Sequence, residues 1–223
     1  MTQDFYTSGE YLQENPTWHA DESPWKVAGV LGILKKRRLQ PKTIGEIGCG
    51  AGEVLRLLQQ HLAADCELWG YDISPKAIEL CSSKANERLH FVLADRAQAA
   101  DRRFDLILIL DVLEHLEDYF SLLREIHPTS DYKIFQLPMD ISLRSVFLKR
   151  LTSFHKTYGH LHYFTKETAL QMVRDAGYEV VDFCYNGPTG MVPLPWEQVK
   201  SRPLLFPRLL LRLVKRIVWK LSF

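Results

Sequence analysis

The chain has 223 residues, 46% hydrophobic and 25% charged, with a formal net charge of +1. That length can bury one substantial core, and the composition excludes a disordered or fibrous chain. Residues 200–223 hold seven basic side chains and no acidic one, so the first 199 residues carry a net −6, which speaks against nucleic acid as a partner.

The four cysteines (Cys49, Cys66, Cys81 and Cys184) form no C-x-x-C pair. Neither a zinc knuckle nor a disulfide framework is expected, and a reducing cytoplasm fits. The polar N-terminus shows no signal peptide, and no stretch approaches the roughly 20 apolar residues of a membrane span.

Residues 1–25 read as an aromatic-rich arm with Phe5, Tyr6, Tyr11, Trp18, His19 and Trp25. Such an arm either packs on the body or forms a lid over a cleft. Residues 25–39 predict an amphipathic helix whose closing run of four cations suits the negative end of the helix dipole. The organising stretch comes next, at residues 43–52: Thr-Ile-Gly-Glu-Ile-Gly-Cys-Gly-Ala-Gly. A short apolar segment runs into Gly48, Gly50 and Gly52, and Val54, Leu55, Leu57, Leu58 and Leu62 then recur at helical spacing. Strand, glycine turn and helix bring backbone close to a small ligand at the carboxyl edge of an open α/β sheet.

The dinucleotide fingerprint G-x-G-x-x-G would need glycine at position 53, where this chain has Glu53. A carboxylate there would crowd a pyrophosphate at the helix start, whereas Glu46, at the strand end, suits a ligand with an ammonium group. Both features point away from a nicotinamide dinucleotide and towards S-adenosylmethionine. The run Glu46-Ile-Gly-Cys-Gly-Ala-Gly52 resembles motif I of the class I (Rossmann-like) S-adenosylmethionine-dependent methyltransferases.

Residues 67–72 predict a second strand closing on Asp72, placed to accept ribose hydroxyls. Pro75 opens a helix over residues 76–86, and residues 89–95 predict a third strand ending in Asp95. The continuous apolar run 104–110 reads as a central parallel strand. The segment that follows, Asp111-Val-Leu-Glu-His-Leu-Glu-Asp118, resembles the corresponding stretch of a group that includes ubiquinone-biosynthesis and natural-product or glycan O-methyltransferases. A helix over 119–127 and a strand over 132–137 come next; Pro128-Thr-Ser-Asp stands where that group often has Gly-Gly. Residues 139–164 interrupt the rhythm with an aromatic and histidine-rich insertion on the substrate side. A helix over 166–176, capped by Gly177, and a strand over 178–185 then resume it.

The resemblance covers residues 27–185, and Gly159-His-Leu-His-Tyr-Phe-Thr165 adds to it. It implies a doubly wound, mostly parallel sheet of the seven-stranded type, in the order 3-2-1-4-5-7-6, within a methyltransferase domain at 26–185. The last strand is not evident. Residues 186–208 carry five prolines, which exclude a central strand. Within 186–223, a linker leads to a basic amphipathic helix; residues 207–223 suit either a membrane surface or a protein face.

The resemblance also implies a site. Glu46, Gly48, Cys49, Gly50 and Gly52 would hold the methionine end, Asp72 and Ile73 the ribose, and Ala94 and Asp95 the adenine. Leu110, Asp111 and Val112 would line the floor beneath the methyl, and S-adenosylhomocysteine would be the product. A hydroxyl acceptor needs its proton removed, for which His115 and His160 are the candidate general bases, with His162 as an alternative to His160. His155, His160 and His162 are close in sequence, but only Asp140 is at hand to join them, and no metal is expected. The reading is therefore O-methylation of a small hydroxylated molecule, a sugar or a lipid-linked glycan. Its rivals are a non-catalytic cofactor-binding or membrane-held scaffold and an NAD-dependent oxidoreductase.

Overall fold

A computed structural model describes Asn15, Trp18 and residues 20–94 and 102–187. Most of the expected arm, Asp95, and residues 188–223 with the basic amphipathic segment lie outside the described residues. Among the described residues the sheet has five parallel strands: β1 (Thr43–Ile47), β2 (Glu67–Asp72), β3 (Leu89–Leu93), β4 (Phe104–Leu110) and β5 (Ser130–Gln136). Their order is β3-β2-β1-β4-β5, so the chain reverses direction across the sheet between β1 and β4.

The β4 strand shows why the run 104–110 is apolar throughout. Leu106, Leu108 and Leu110 face one core, while Ile107 and Ile109 face the other. The first core is closed by α1 (Ser23–Arg37) and α2 (Glu53–Gln59) through Val30, Leu34, Leu55 and Leu58. The second is closed by α4 (Tyr119–Ile126) and α7 (Lys166–Asp175) through Leu123, Ile126, Met172 and Val173. Each fully buried Leu or Ile here contributes about 1.5–3 kcal/mol relative to exposure, and helices on both faces are what a parallel sheet requires.

The helix begun by Pro75 is shorter than the sequence predicts. α3 spans Pro75–Cys81 and tightens to a 3-10 turn at Ser82–Lys84. Asn86 then turns the chain, its side chain accepting from Gln59 and from the Arg88 amide. The insertion contributes α5 (Leu143–Phe147) and α6 (Leu151–Tyr158).

The expected strand at 178–185 does not form: residues 178–184 are irregular, with a single bridge at Tyr185. In the order 3-2-1-4-5-7-6 that segment would pair with the seventh strand, not with β5. The residues from which a seventh strand could come are outside those described. Side chains hold the segment instead. Asp182 pairs with Lys36 and Arg37 at the end of α1, the Tyr178 hydroxyl donates to the Leu123 carbonyl, and Asn186 donates to the Trp25 carbonyl. No described helix is long and apolar enough to cross a membrane.

Candidate functional site

The carboxyl ends of β1 and β4 lie side by side where the strand order reverses, and a cleft of about 1580 Å³ takes in both ends and runs on along β5 to the segment 178–186. Glu46, Gly48, Cys49, Gly50, Leu110 and Asp111 all face it. The turn after β1 is left-handed at three positions, with φ of 76° at Gly48, 53° at Gly50 and 74° at Gly52. A β-carbon at Gly48 would lie 2.6 Å from Val112, and one at Gly52 2.6 Å from the Phe91 ring. One at Gly50 would lie 2.5 Å from the Trp18 indole. Gly52 is thus required by packing against β3 rather than by a ligand's approach, while Trp18, from the aromatic arm, covers the middle of the turn.

Asp72 ends β2 as the sequence predicts, and its carboxylate is already built into the turn. One oxygen accepts the Gly50 amide at 2.9 Å and the other the Ser74 amide at 2.9 Å. Burial raises its pKa, and these amide hydrogen bonds work against that rise. Ile73 is half-buried beside it and Ala94, whose amide bonds the Asp72 carbonyl, is buried. Neither Asp72, Ile73, Ala94 nor Val112 lines the cleft directly.

Glu46 is 2% exposed in the centre of the sheet, and its Oε2 has no hydrogen-bond partner among the described residues. Burial pushes its pKa up to about 8, against the pull of the Lys26 ammonium. Lys26 is a member of the site that sequence reasoning missed. It reaches from α1 to Asp111 at 2.8 Å and to Glu22 at 3.2 Å. Burial opposes its charge, but the two carboxylates outweigh that and leave its pKa raised. A signal was available: Lys26, Val30 and Leu34 share one helix face, and all three are buried. Asp111 itself has a φ of 56° and also accepts from Gln136 Nε2 at 2.9 Å.

The insertion brings His160 to the same cleft. Its Nδ1 lies 2.6 Å from Asp140 Oδ2, and its ring meets that of His115 at 5.0 Å. His162 is turned elsewhere, bonding the Leu116 carbonyl at 2.8 Å. Glu114, quoted from the sequence only as part of a motif, is fully buried between these groups. Glu46, Asp111 and Glu114 line the cleft with Lys26 as the cation among them, while Asp72 is engaged by the Gly50 and Ser74 amides. Burial holds Glu46 and Glu114 towards their protonated forms, ready to lose a proton to an incoming cation. Such a floor suits a cationic ligand better than a pyrophosphate.

Comparison with solved structures agrees with the topology. Magnesium protoporphyrin IX methyltransferase from Synechocystis PCC 6803, crystallised with S-adenosylhomocysteine, superposes with a TM-score of 0.59 at 19% identity, over 80% of this chain and 88% of its own. A SAM-dependent methyltransferase from Archaeoglobus fulgidus gives 0.51 at 24% identity, over 67% and 68%. The plantazolicin methyltransferase BpumL, also with S-adenosylhomocysteine, gives 0.53 at 20% identity, over 78% and 66%. At these identities the likeness is one of fold. No curated protein matches the sequence. The family model described as a methyltransferase domain matches residues 26–182, and the chain belongs to that family, with the class I Rossmann-like fold.

Proposed function

We propose that the protein transfers a methyl group from S-adenosylmethionine to a hydroxyl of a small acceptor. The observation that carries the cofactor assignment is Glu46: a buried carboxylate on the cleft wall, beside Gly48 and Gly50, with one oxygen unpartnered among the described residues. An ammonium group satisfies it, and S-adenosylmethionine brings both an ammonium and a sulfonium to this acidic floor. Gly48, Cys49 and Gly50 form the backbone seat for the methionine end, Gly52 keeps the turn packed on β3, and Asp72 and Ile73 stand at the ribose with Ala94 and Asp95 at the adenine. Leu110 and Asp111 make the floor beneath the methyl, and Val112 supports it by packing on Gly48. The neighbours crystallised with S-adenosylhomocysteine support this reading by analogy of fold.

Methyl transfer from a sulfonium is an in-line displacement with a neutral leaving group, so alignment does most of the work. As the new C–O bond forms, the acceptor oxygen must lose its proton. His115 and His160, at the acceptor end of the cleft, are the groups that take that proton or hold the oxygen from which it leaves. The acceptor side is walled by the 139–164 insertion, including Met139 and Tyr158, which suits a molecule with an apolar or ring-shaped part, a sugar or a lipid-linked glycan. Residues 207–223 would add contact with a membrane surface, an assignment resting on sequence alone; their deletion should abolish liposome binding and leave cofactor affinity intact.

Isothermal titration with S-adenosylhomocysteine and with NADH tests the cofactor. Micromolar binding of the first alone, followed by methyl transfer to members of a panel of hydroxylated acceptors, is the expected result. Binding of NADH alone overturns the reading, and S-adenosylhomocysteine binding without any turnover would favour a non-catalytic cofactor-binding protein.

A further inference from the structure

Glu114 sits in the 3-10 turn Leu113–His115 that follows β4. It is fully buried, and neither carboxylate oxygen has a hydrogen-bond partner among the described residues. A buried carboxyl group left without partners is costly and calls for a counter-group. The neighbours supply the other half of a cation site. His115 Nε2 is 3.8 Å from Glu114 Oε1, and one ligand atom each from Glu114, His115 and His160 lie within 4.8 Å of one another.

The surrounding structure holds this trio in place. The amides of Leu161 and His162 both donate to the Glu114 carbonyl, at 2.8 and 3.1 Å, which ties the segment after His160 to the Glu114 turn. Asp140 accepts from His160 Nδ1 at 2.6 Å, leaving Nε2 as that ring's lone-pair nitrogen. The Gly159 carbonyl lies 3.3 Å from His115 Nδ1. An acceptor behind each imidazole is the arrangement that orients metal-binding histidines. The histidine trio suggested by sequence spacing is a different set: His155 and His162 bond backbone carbonyls instead.

We propose that Glu114, His115 and His160 bind one divalent transition-metal cation, with its remaining coordination positions facing the cleft. Two imidazoles and one carboxylate favour zinc, iron, cobalt or manganese over calcium or magnesium, which prefer all-oxygen sites. The role of the cation rests on the proposed transfer to a hydroxyl: it holds the acceptor oxygen and lowers that hydroxyl's pKa, and the proton passes to solvent. The two histidines then serve as ligands and not as proton acceptors.

The test uses the full chain stripped by chelator and titrated with Co2+ alone, read by its visible absorption bands and by calorimetry. One equivalent should bind with bands typical of histidine and carboxylate coordination. Glu114→Gln and His160→Gln should each weaken binding at least tenfold, and the exposed His61→Gln should leave it unchanged. Thermal melts of the variants in the absence of metal establish that both are folded, and either folded variant alone suffices. No binding, or binding equally strong in Glu114→Gln or His160→Gln, overturns the proposal. Titration of the same samples with S-adenosylhomocysteine separates the two readings. Cofactor binding without Co2+ binding would sink the cation site alone, and Co2+ binding without cofactor binding would sink the methyltransferase reading alone.

Discussion

Asp72 Oδ2 accepts the amide of Gly50 at 2.9 Å, so the acid that ends β2 and the middle glycine of the β1 turn form one hydrogen-bonded unit. The same carboxylate also holds the Ser74 amide at the start of α3. Asp72 therefore shapes the turn as well as waiting for a ribose. Asp72→Ala should abolish measurable S-adenosylhomocysteine binding and also cost about 2 kcal/mol of stability, because two buried amides lose a charged acceptor. Asp72→Asn should recover part of the stability and little of the binding. Urea unfolding alongside calorimetry checks both, and a stable Asp72→Ala variant that still binds would show the unit to be dispensable.

Glu46 gives a pH signature. Its folded pKa of about 8 exceeds the ordinary 4.5, so the folded state holds a proton that the unfolded state releases. Its contribution to stability is then fully present below about pH 4.5 and is lost as pH rises towards 8, by at most about 4–5 kcal/mol. A cofactor ammonium needs the carboxylate, so binding must expel that proton. Affinity for S-adenosylhomocysteine should rise between pH 6 and 8, with up to one proton released, measurable by calorimetry in buffers of different ionisation enthalpy. Glu46→Gln should flatten both profiles and weaken binding.

The parts of this molecule that were legible in its sequence are the local ones. The glycine turn, the acid ending β2 and the unbroken apolar run of β4 each declare themselves within ten residues, because backbone conformation and two-sided burial act on neighbours. What stayed hidden depends on distant partners. Lys26 and Asp111 are 85 positions apart, and Glu114 meets His160 only because the insertion folds back across the cleft. The segment 178–185 is rich enough in Val, Phe and Tyr to predict a strand, yet a strand is made by the partner it pairs with, and local composition does not report that partner.

The Lys26–Asp111 pair should be a stability element with a measurable coupling. Lys26 is nearly buried, and its removal leaves Asp111 facing Glu114 with no counter-charge. Lys26→Met should destabilise the protein by about 3 kcal/mol, the lower end for a broken buried pair because Asp111 keeps some solvent contact. Adding Asp111→Asn, which can still bond Gln136, should restore much of the loss. A double-mutant cycle by urea unfolding checks this, and additive effects would show that the two charges do not depend on each other.

Gly52 and Gly177 both adopt left-handed backbone, with φ of 74° and 93°, yet they should respond differently to alanine. At Gly177 nothing lies nearer than 3.9 Å to a new β-carbon, so Gly177→Ala should cost only the conformational term, about 1–2 kcal/mol. At Gly52 the β-carbon would meet the Phe91 ring at 2.6 Å and the Cys81 sulfur at 3.0 Å. Phe91 is itself pinned against Gly70, where a β-carbon would stand 2.7 Å from the ring, so it has little room to retreat. Overpacking adds about 1–3 kcal/mol, and Gly52→Ala should lose about 2–5 kcal/mol in all. Phe91→Leu, by removing the ring, should make Gly52→Ala cheaper than it is in the parent protein. Equal losses for the two glycine variants, or no relief from Phe91→Leu, would mean that backbone strain alone sets the requirement for glycine at position 52.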